Sequence, residues 1–460
     1  MSQRKRQNHK RKKAASVHTP LNTAHHPDAG GIDVGAEELV VAVPHGRGQA
    51  PFVRTFSAFT AGLHALRDWL LACQIKTVAM ESTGNYWLCA CALLEDAGVE
   101  VCLVNARHVK GVPGKKTDVC DAAWLQQLHA AGLLRGSFRP QKEILPLRYL
   151  MRHRGDLVAQ AGQQVQLMQK VLTEMNLHIH HVFSDVDGVS AQTIITAILQ
   201  GQRDPDQLAA LRDRRCRSSL AKIKAALVGD YREEYLFVLK QCQTRWQQLN
   251  EAIAQCDTEI ARHTAAIVGV TDAPLPGAGF AQRRVQKNMT VAMPVYAEAH
   301  RLLGVDLSAV PGISGGVLCT LLSELGTATH IRQKFRSAEA FASWLGLCPD
   351  NRISGGRILK AGTRKVTNRI ANILRMAANA LSRARGRMAE YVRRFKGRLG
   401  KAEGIVAGAH KLARIIWALI VSGRPYDENK AFHTTPASRA RRLKNLQNQA
   451  QALHFKLVPA

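Results

Sequence analysis

A chain of 460 residues has material for roughly two to four domains with their own cores, which excludes a peptide hormone, a disulfide mini-scaffold and a collagen-like fibre. Hydrophobic residues make up 46% and charged residues 22%, a globular balance rather than that of a disordered chain. Lys and Arg number 64 against 35 Asp and Glu, and the resulting charge of +29 calls for a polyanionic partner. The longest apolar run, Ile415 to Val421, falls well short of the roughly 20 residues that cross a bilayer, so no membrane helix is expected. The basic start (Arg4, Lys5, Arg6, Lys10 to Lys13) leads into Thr, His and Pro rather than the apolar stretch of a signal peptide, which points to the cytoplasm. Basic residues are spread over several segments rather than along one amphipathic helix, which favours nucleic acid over an anionic membrane. The ten cysteines show no C-x-x-C spacing and are expected to be buried free thiols.

Residues 1–28 form a basic, Asn- and His-rich arm without apolar period, a solvated tail or a segment ordered by phosphate. Gly31-Ile-Asp-Val-Gly, Leu39-Val-Val-Ala-Val and Phe52-Val-Arg-Thr-Phe then read as three short strands in an antiparallel meander. A helical period through Leu63, Leu66, Trp69 and Leu70 follows, then a strand from Thr77 to Glu81 and a helix from Trp87 to Leu94. A strand from Val99 to Val104 and a helix from Asp118 to about Leu134 complete the order β-β-β-α-β-α-β-α. That is the order of an RNase H-like core, although unrelated α/β folds share it.

The middle of the chain carries two 4-3 ladders, one from Leu147 through Met151, Arg154, Val158, Ala161, Val165, Met168 and Leu172 to Met175, the other from Tyr235 through Leu239, Cys242, Trp246, Leu249, Ile253 and Cys256 to Ile260. They predict a coiled coil, paired either within one chain or between two. His178, His180 and His181 lack an i, i+4 pair and a neighbouring cysteine, and are read as structural.

After a Pro- and Gly-containing linker from Pro274 to Gly279, Leu307 to Leu325 reads as helix, tight Pro-Gly-x-x-Gly hairpin, helix. Such a hairpin either points backbone N–H groups at phosphate or is an ordinary turn. Residues 351–400 hold fourteen Lys or Arg against the single acid Glu390, the strongest nucleic-acid signal in the chain. Arg352, Arg357, Lys360, Arg364, Lys365 and Arg369 are the expected nucleic-acid-binding residues.

Asp33 lies on the first strand, Glu81 ends the fourth, and Asp118 and Asp121 share a helix face. Taken singly, each has a bland reading as a turn, helix-entry or cap residue. Together they make chemical sense as ligands of Mg²⁺, because close carboxylates repel unless cations occupy them. Ser354-Gly355-Gly356 lies among the cations; it is either a flexible turn or a nucleophile whose glycines let a phosphate approach, and Ser314-Gly-Gly is a decoy of the same form.

Gly-Ile-Asp33-Val-Gly, Glu81-Ser-Thr-Gly-Asn-Tyr-Trp and Lys116-Thr-Asp118-Val-Cys-Asp121-Ala resemble the DEDD transposases of bacterial insertion sequences, relatives of the Piv-type DNA invertases. Val310-Pro-Gly-Ile and Phe341-Ala-Ser-Trp-Leu-Gly-Leu-Cys-Pro, running into Ile353-Ser354-Gly-Gly, resemble the same family's C-terminal transposase domain. The resemblance implies a RuvC-like, RNase H-fold domain whose acids Asp33, Glu81, Asp118 and Asp121 bind Mg²⁺, a coiled-coil middle, and a nucleophile at Ser354 that links covalently to DNA. It further implies a structured bridge RNA pairing with donor and target DNA, and a homo-oligomer, dimer or tetramer, in which the carboxylates of one protomer meet the serine of another. The basic arm is longer than the family pattern, and the tail carries Arg439, Arg441, Arg442, Lys444 and Lys456 without an acid after residue 430.

The expected organisation is a basic arm (1–28), a RuvC-like domain (29–140), a helical coiled-coil region (141–273), a mainly α C-terminal transposase domain with a helix-hairpin-helix (290–428) and a basic tail (429–460). The expected activity is transposition by site-specific recombination. The alternatives are a RuvC-like junction endonuclease without a covalent intermediate, in which Ser354 is a loop residue, and a non-catalytic nucleic-acid scaffold.

Overall fold

Short β-rich runs separated by turn residues at the start of the chain form one sheet with helices between its strands, and the later described residues are mainly helical apart from a small ribbon. The structure, a computed structural model, describes residues 25–44, 52–82, 84–105, 118–276, 293–360, 362–364, 367–432, 436–456 and 458. Most of the basic arm, most of the segment from 274 to 292, and Lys116, Thr117 and Lys365 therefore lie outside the described residues. Two compact units divide the chain, Met1–Arg139 and Pro140–Ala460.

In the first unit, β1 (Ala29–Val34), β2 (Glu38–Val43), β3 (Phe52–Ser57), β4 (Thr77–Glu81) and β5 (Glu100–Val104) form a sheet in the order β3-β2-β1-β4-β5. β1 pairs antiparallel with β2 and β2 with β3, whereas β1–β4 and β4–β5 are parallel. This mixed sheet with helices is consistent with the RNase H-like expectation. The helices are α1 (Thr60–Ala72), α2 (Trp87–Asp96) and α3 (Asp118–Ala130). Ile32, Val34, Leu39, Val41, Val78 and Met80 face a core shared with Leu66 and Leu70 of α1 and Ala90, Cys91 and Leu94 of α2. The other face is covered by α3: Ala122 packs on Val40 and Ala42, and Leu125 on Ala79 and Val104. Helix α3 comes so close that a Cβ at Gly31 would lie 2.3 Å from the Ala122 carbonyl oxygen, so only glycine fits there. With both faces covered, the inner strands are apolar without alternation. The end of the arm is tied down: His26 N–H donates to Ala130 O, and Asp28 O accepts from Lys76 N–H.

The second unit is predominantly helical. A 3₁₀ turn (Lys142–Ile144) leads into α4 (Leu145–Glu174), followed by α5 (Ile179–Val182), α6 (Val189–Leu199), α7 (Pro205–Ala210), α8 (Leu220–Ala226) and α9 (Glu233–Ala265). Helices α4 and α9 pack against each other in the same chain and run antiparallel, as Arg154 bonding to Asp257 and Met168 clustering with Cys242 require. Every ladder position named above is buried or half-buried. Helices α5–α8 close one end of the pair over a core that includes Leu172, Met175, Ile194, Ile198, Ile223 and Leu239.

The chain continues through α10 (Val295–Leu303), a 3₁₀ turn (Leu307–Ala309), α11 (Gly315–Leu325), α12 (Ala328–Lys334) and α13 (Ala338–Trp344). It then forms a ribbon of β6 (Arg352–Ser354) and β7 (Arg357–Lys360), and the helices α14 (Arg369–Leu381), α15 (Arg387–Leu399), α16 (Lys401–Ser422), α17 (Glu428–Ala431) and α18 (Pro436–Ala452). The segment read as the first arm of a helix-hairpin-helix is a single 3₁₀ turn, because Asp306 caps Ser308 and Pro311-Gly312 follow at once. Beyond it, Gly315 and Gly316 are buried with the rest of apolar α11, which leaves Gly312 and Ser314 as the exposed tip.

The structure refines three sequence expectations. Helix α16, with mean hydropathy 1.5, is by length and composition apolar enough to span a membrane, although its longest uninterrupted apolar run is short. It packs instead against α12 to α15, with Ala409, Leu412, Ile416 and Ile420 buried, as a core helix does. The nine described cysteines are free, but Cys73 and Cys89 are exposed rather than buried. In the tail, residues 436–452 are helical; Lys444 and Lys456 are exposed, and the side chains of Arg439, Arg441 and Arg442 lie outside the described residues.

Candidate active site

The first group of predicted residues is built on the ends of two parallel strands. Ile32 pairs with Met80 in the β1–β4 ladder, so Asp33 and Glu81 each lie one residue further on, side by side at the carboxyl end of the sheet. Strand side chains alternate between faces, so Asp33 shares the face of Gly31, and Glu81 that of Ala79. Both of those neighbours lie against α3, which places the two half-buried carboxylates on the α3 face. Helix α3 begins at Asp118 and carries Asp121, which is exposed, one residue before the Ala122 that packs on the sheet. The side chain of Asp118 lies outside the described residues. Ser82, following Glu81, secures the strand end by donating from both N–H and Oγ to Val104 O.

Carboxylates at two strand ends and at the start of the helix that covers them offer hard oxygen donors of the kind a divalent cation takes. Among the described residues, the side chains whose ligand atoms lie within 4.8 Å of one another as a group of three are His178, His180 and His181; Asp33, Glu81 and Asp121 share one end of the fold without being gathered so closely.

Ser354 belongs to the second unit. It is exposed, ends β6 and pairs directly with Arg357 of β7. Gly355 and Gly356 between them have φ of +54° and +77°, the left-handed pair of a type I′ hairpin turn. The tripeptide is therefore a tight turn rather than a flexible loop, and the glycines are required by the backbone. Among the described residues, chain neighbours aside, no atom lies within 4 Å of where a Cβ would stand on either glycine, so the turn is open there. The base of the ribbon is held by the Pro349–Thr363 bridge, by Asp350 N–H donating to Gly362 O, and by Asn351 Oδ1 accepting from Gly362 N–H. Asn351 was passed over in the sequence because its partner is set by the ribbon fold.

The predicted cations divide. Arg357 and Arg369 are exposed, and Arg369 opens α14 directly after its cap Asn368. Arg364 is exposed but donates to Ser343 O at the end of α13, which ties it to the scaffold. The side chains of Arg352 and Lys360, and all of Lys365, lie outside the described residues. Helix α15 extends the basic surface with exposed Arg387, Arg393, Arg394 and Arg398. Arg394 lies over the rings of Tyr391 and Phe395, and Arg398 over that of Phe395, so aromatic faces restrain these guanidinium groups.

Two family models match the chain. One describes a transposase of the IS110 DEDD type and covers residues 30–177, including all four acids. The other describes the transposase IS116/IS110/IS902 family and covers residues 306–393, including Ser354 and the basic ribbon. No curated protein matches.

Proposed function

This chain belongs to the DEDD transposases of the IS110 type, enzymes that act on DNA, and from that premise we propose that it moves its own insertion sequence by site-specific recombination through Ser354. The family's DEDD domain implies dependence on a divalent metal. Asp33, Glu81, Asp118 and Asp121 would hold it, and four hard oxygen donors favour Mg²⁺. When bound, the ion supplies positive charge to phosphate oxygens.

The remaining chemistry belongs to the chain. Ser354 Oγ attacks a phosphodiester; an Oγ–P bond forms, the P–O bond to the departing sugar breaks, the serine loses its proton and the sugar oxygen gains one. Strand exchange reverses the step with a different sugar hydroxyl. Arg357, directly across the ribbon, and Arg352, Lys360, Arg364, Lys365 and Arg369 nearby in sequence supply charge for the pentacoordinate phosphorus and hold the DNA backbone. The observation that carries the reading is an exposed serine at the head of a tight, open turn whose two glycines leave its backbone accessible to a phosphate. In the same reading, residues 29–140 form the carboxylate domain and residues 290–428 the serine domain. A structured bridge RNA pairs with donor and target DNA, and protomers assemble as a dimer or tetramer in the cytoplasm.

A second reading has one observation in its favour: the type I′ turn accounts for Gly355 and Gly356 without any nucleophile. It makes the protein a RuvC-like junction endonuclease. The test incubates the protein with element-end DNA, Mg²⁺ and co-expressed RNA and looks for an SDS-resistant protein–DNA adduct. An adduct lost in Ser354→Ala is expected. Cleavage without adduct, unchanged in Ser354→Ala, would establish the endonuclease instead.

A further inference from the structure

Outside the acids and the serine ribbon, one cluster of metal-ligating side chains stands out. His178 caps α5 with φ −93° and ψ 45°, and this bend brings its ring alongside that of His181, with centroids 5.0 Å apart and planes 8° from parallel. The His180 ring meets His181 edge-on at 4.2 Å. One ligand nitrogen from each ring lies within 4.8 Å of the other two.

The hydrogen bonding leaves one buried nitrogen of His178 and one of His180 without a partner. His178 Nε2 lies 2.9 Å from Asn176 Oδ1, which only accepts, so Nε2 carries the proton and Nδ1 presents a lone pair. That Nδ1 is buried and has no hydrogen-bond partner, and the same holds for Nδ1 of His180. Buried imidazole nitrogens without partners are costly unless something completes them. A ring that donates its far N–H to a carbonyl oxygen while its near nitrogen stays free has the arrangement of a metal-bound histidine. The backbone around the cluster is held as well: His178 N–H donates to Ala226 O, and Ile179 and Val182 are buried in the core that closes the α4–α9 pair.

We propose that His178, His180 and His181 form a transition-metal site that binds one Zn²⁺-class ion through three imidazole nitrogens. Three nitrogen donors select borderline ions such as Zn²⁺ and Co²⁺ over Mg²⁺, so this site is chemically distinct from the carboxylates. Tetrahedral binding at metal–nitrogen distances near 2.05 Å needs the nitrogens about 3.3 Å apart, a closure that side-chain rotation supplies. His181 is exposed and lines a cleft of about 740 Å³, which leaves the fourth position open to solvent or to a further donor. The bound ion would fix the rings of residues 178–181 relative to one another.

The experiment strips the full-length, untagged protein with chelator and titrates it with Co²⁺ and then Zn²⁺. Wild type is expected to develop the visible d–d absorption of tetrahedral Co²⁺, to lose it on adding Zn²⁺, and to retain one more ion per chain than His181→Gln. His181 is exposed, so that variant keeps its fold. Asn176 has φ +57°, a conformation glycine adopts freely, so Asn176→Gly removes only the orienting carbonyl and is expected to weaken Zn²⁺ binding about 10- to 100-fold. Equal retention by wild type and His181→Gln, or the absence of a tetrahedral Co²⁺ spectrum, would overturn the site.

Discussion

His129 shows how one buried side chain makes the first unit sensitive to pH. It is 5% exposed, shares a hydrogen bond of 2.9 Å with Thr77 Oγ1 and stacks on His26. Burial first, and the neighbouring His26 second, push its pKa down from 6.5 to about 4. Above pH 6.5 both folded and unfolded chains hold it neutral; as pH falls toward 4 the unfolded chain takes up the proton first, so stability is lost across that window. The shift corresponds to about 3 kcal/mol by pH 4. Hydrogen exchange of β1 and β4 peptides in a urea series, at pH 7 and at pH 4.5, is expected to show this loss. His129→Gln, which still offers Thr77 a partner, is expected to lose less on acidification, and an unchanged pH response in the variant would remove His129 from the account. The acids and Ser354 could be singled out in the sequence as candidates. The state of His129 was not, because desolvation depends on helix α3 closing over a strand 52 residues earlier.

At the scale of elements, the 4-3 spacing announced two long helices, yet the feature that aligns them is polar. Arg154 Nε and Nη2 bond to Asp257 Oδ1 and Oδ2 at 2.5 and 3.2 Å, with both side chains nearly buried. Removing one partner strands a buried charge, so Arg154→Met is expected to cost about 3–5 kcal/mol, whereas Arg154→Met with Asp257→Leu recovers most of it. Urea midpoints followed by helical circular dichroism measure both, and a double variant as unstable as the single would show that the pair contributes more than the packing that replaces it. Glu324 of buried α11 similarly accepts from Arg152 at 2.9 Å through both oxygens and pairs with Arg148, joining α4 to the segment that precedes the ribbon. Spacing does not name the partner of Arg154, which is 103 residues away, nor that of Arg152, whose partner Glu324 lies 172 residues away. Spacing reports the face a helix buries, but not what it meets there.

For the whole molecule, charge is the property that acts at range. With +29 and the exposed arginines of α15 and the ribbon, DNA affinity is expected to fall by at least about 10³-fold between 50 and 200 mM salt, if six or more phosphates are contacted. Equilibrium binding to element-end DNA across that range measures the slope, and a flat response would remove the basic surface from the binding account.

The sequence by itself determined the kinds of element and their order, because alternation and helical periods are local consequences of side-chain chemistry. It also determined the hard acids and the serine as chemical types, and the basic character of the last third. Only the tertiary structure decided that Asp33 and Glu81 stand side by side, since that follows from the parallel register of β1 and β4 and from helix α3 approaching closely at Gly31. It likewise decided that α4 and α9 pair within the chain, that Ser-Gly-Gly is a tight turn, and that three histidines without helical spacing share one point. Each of these depends on contacts between residues distant in the chain, or on a backbone bend that no periodicity encodes.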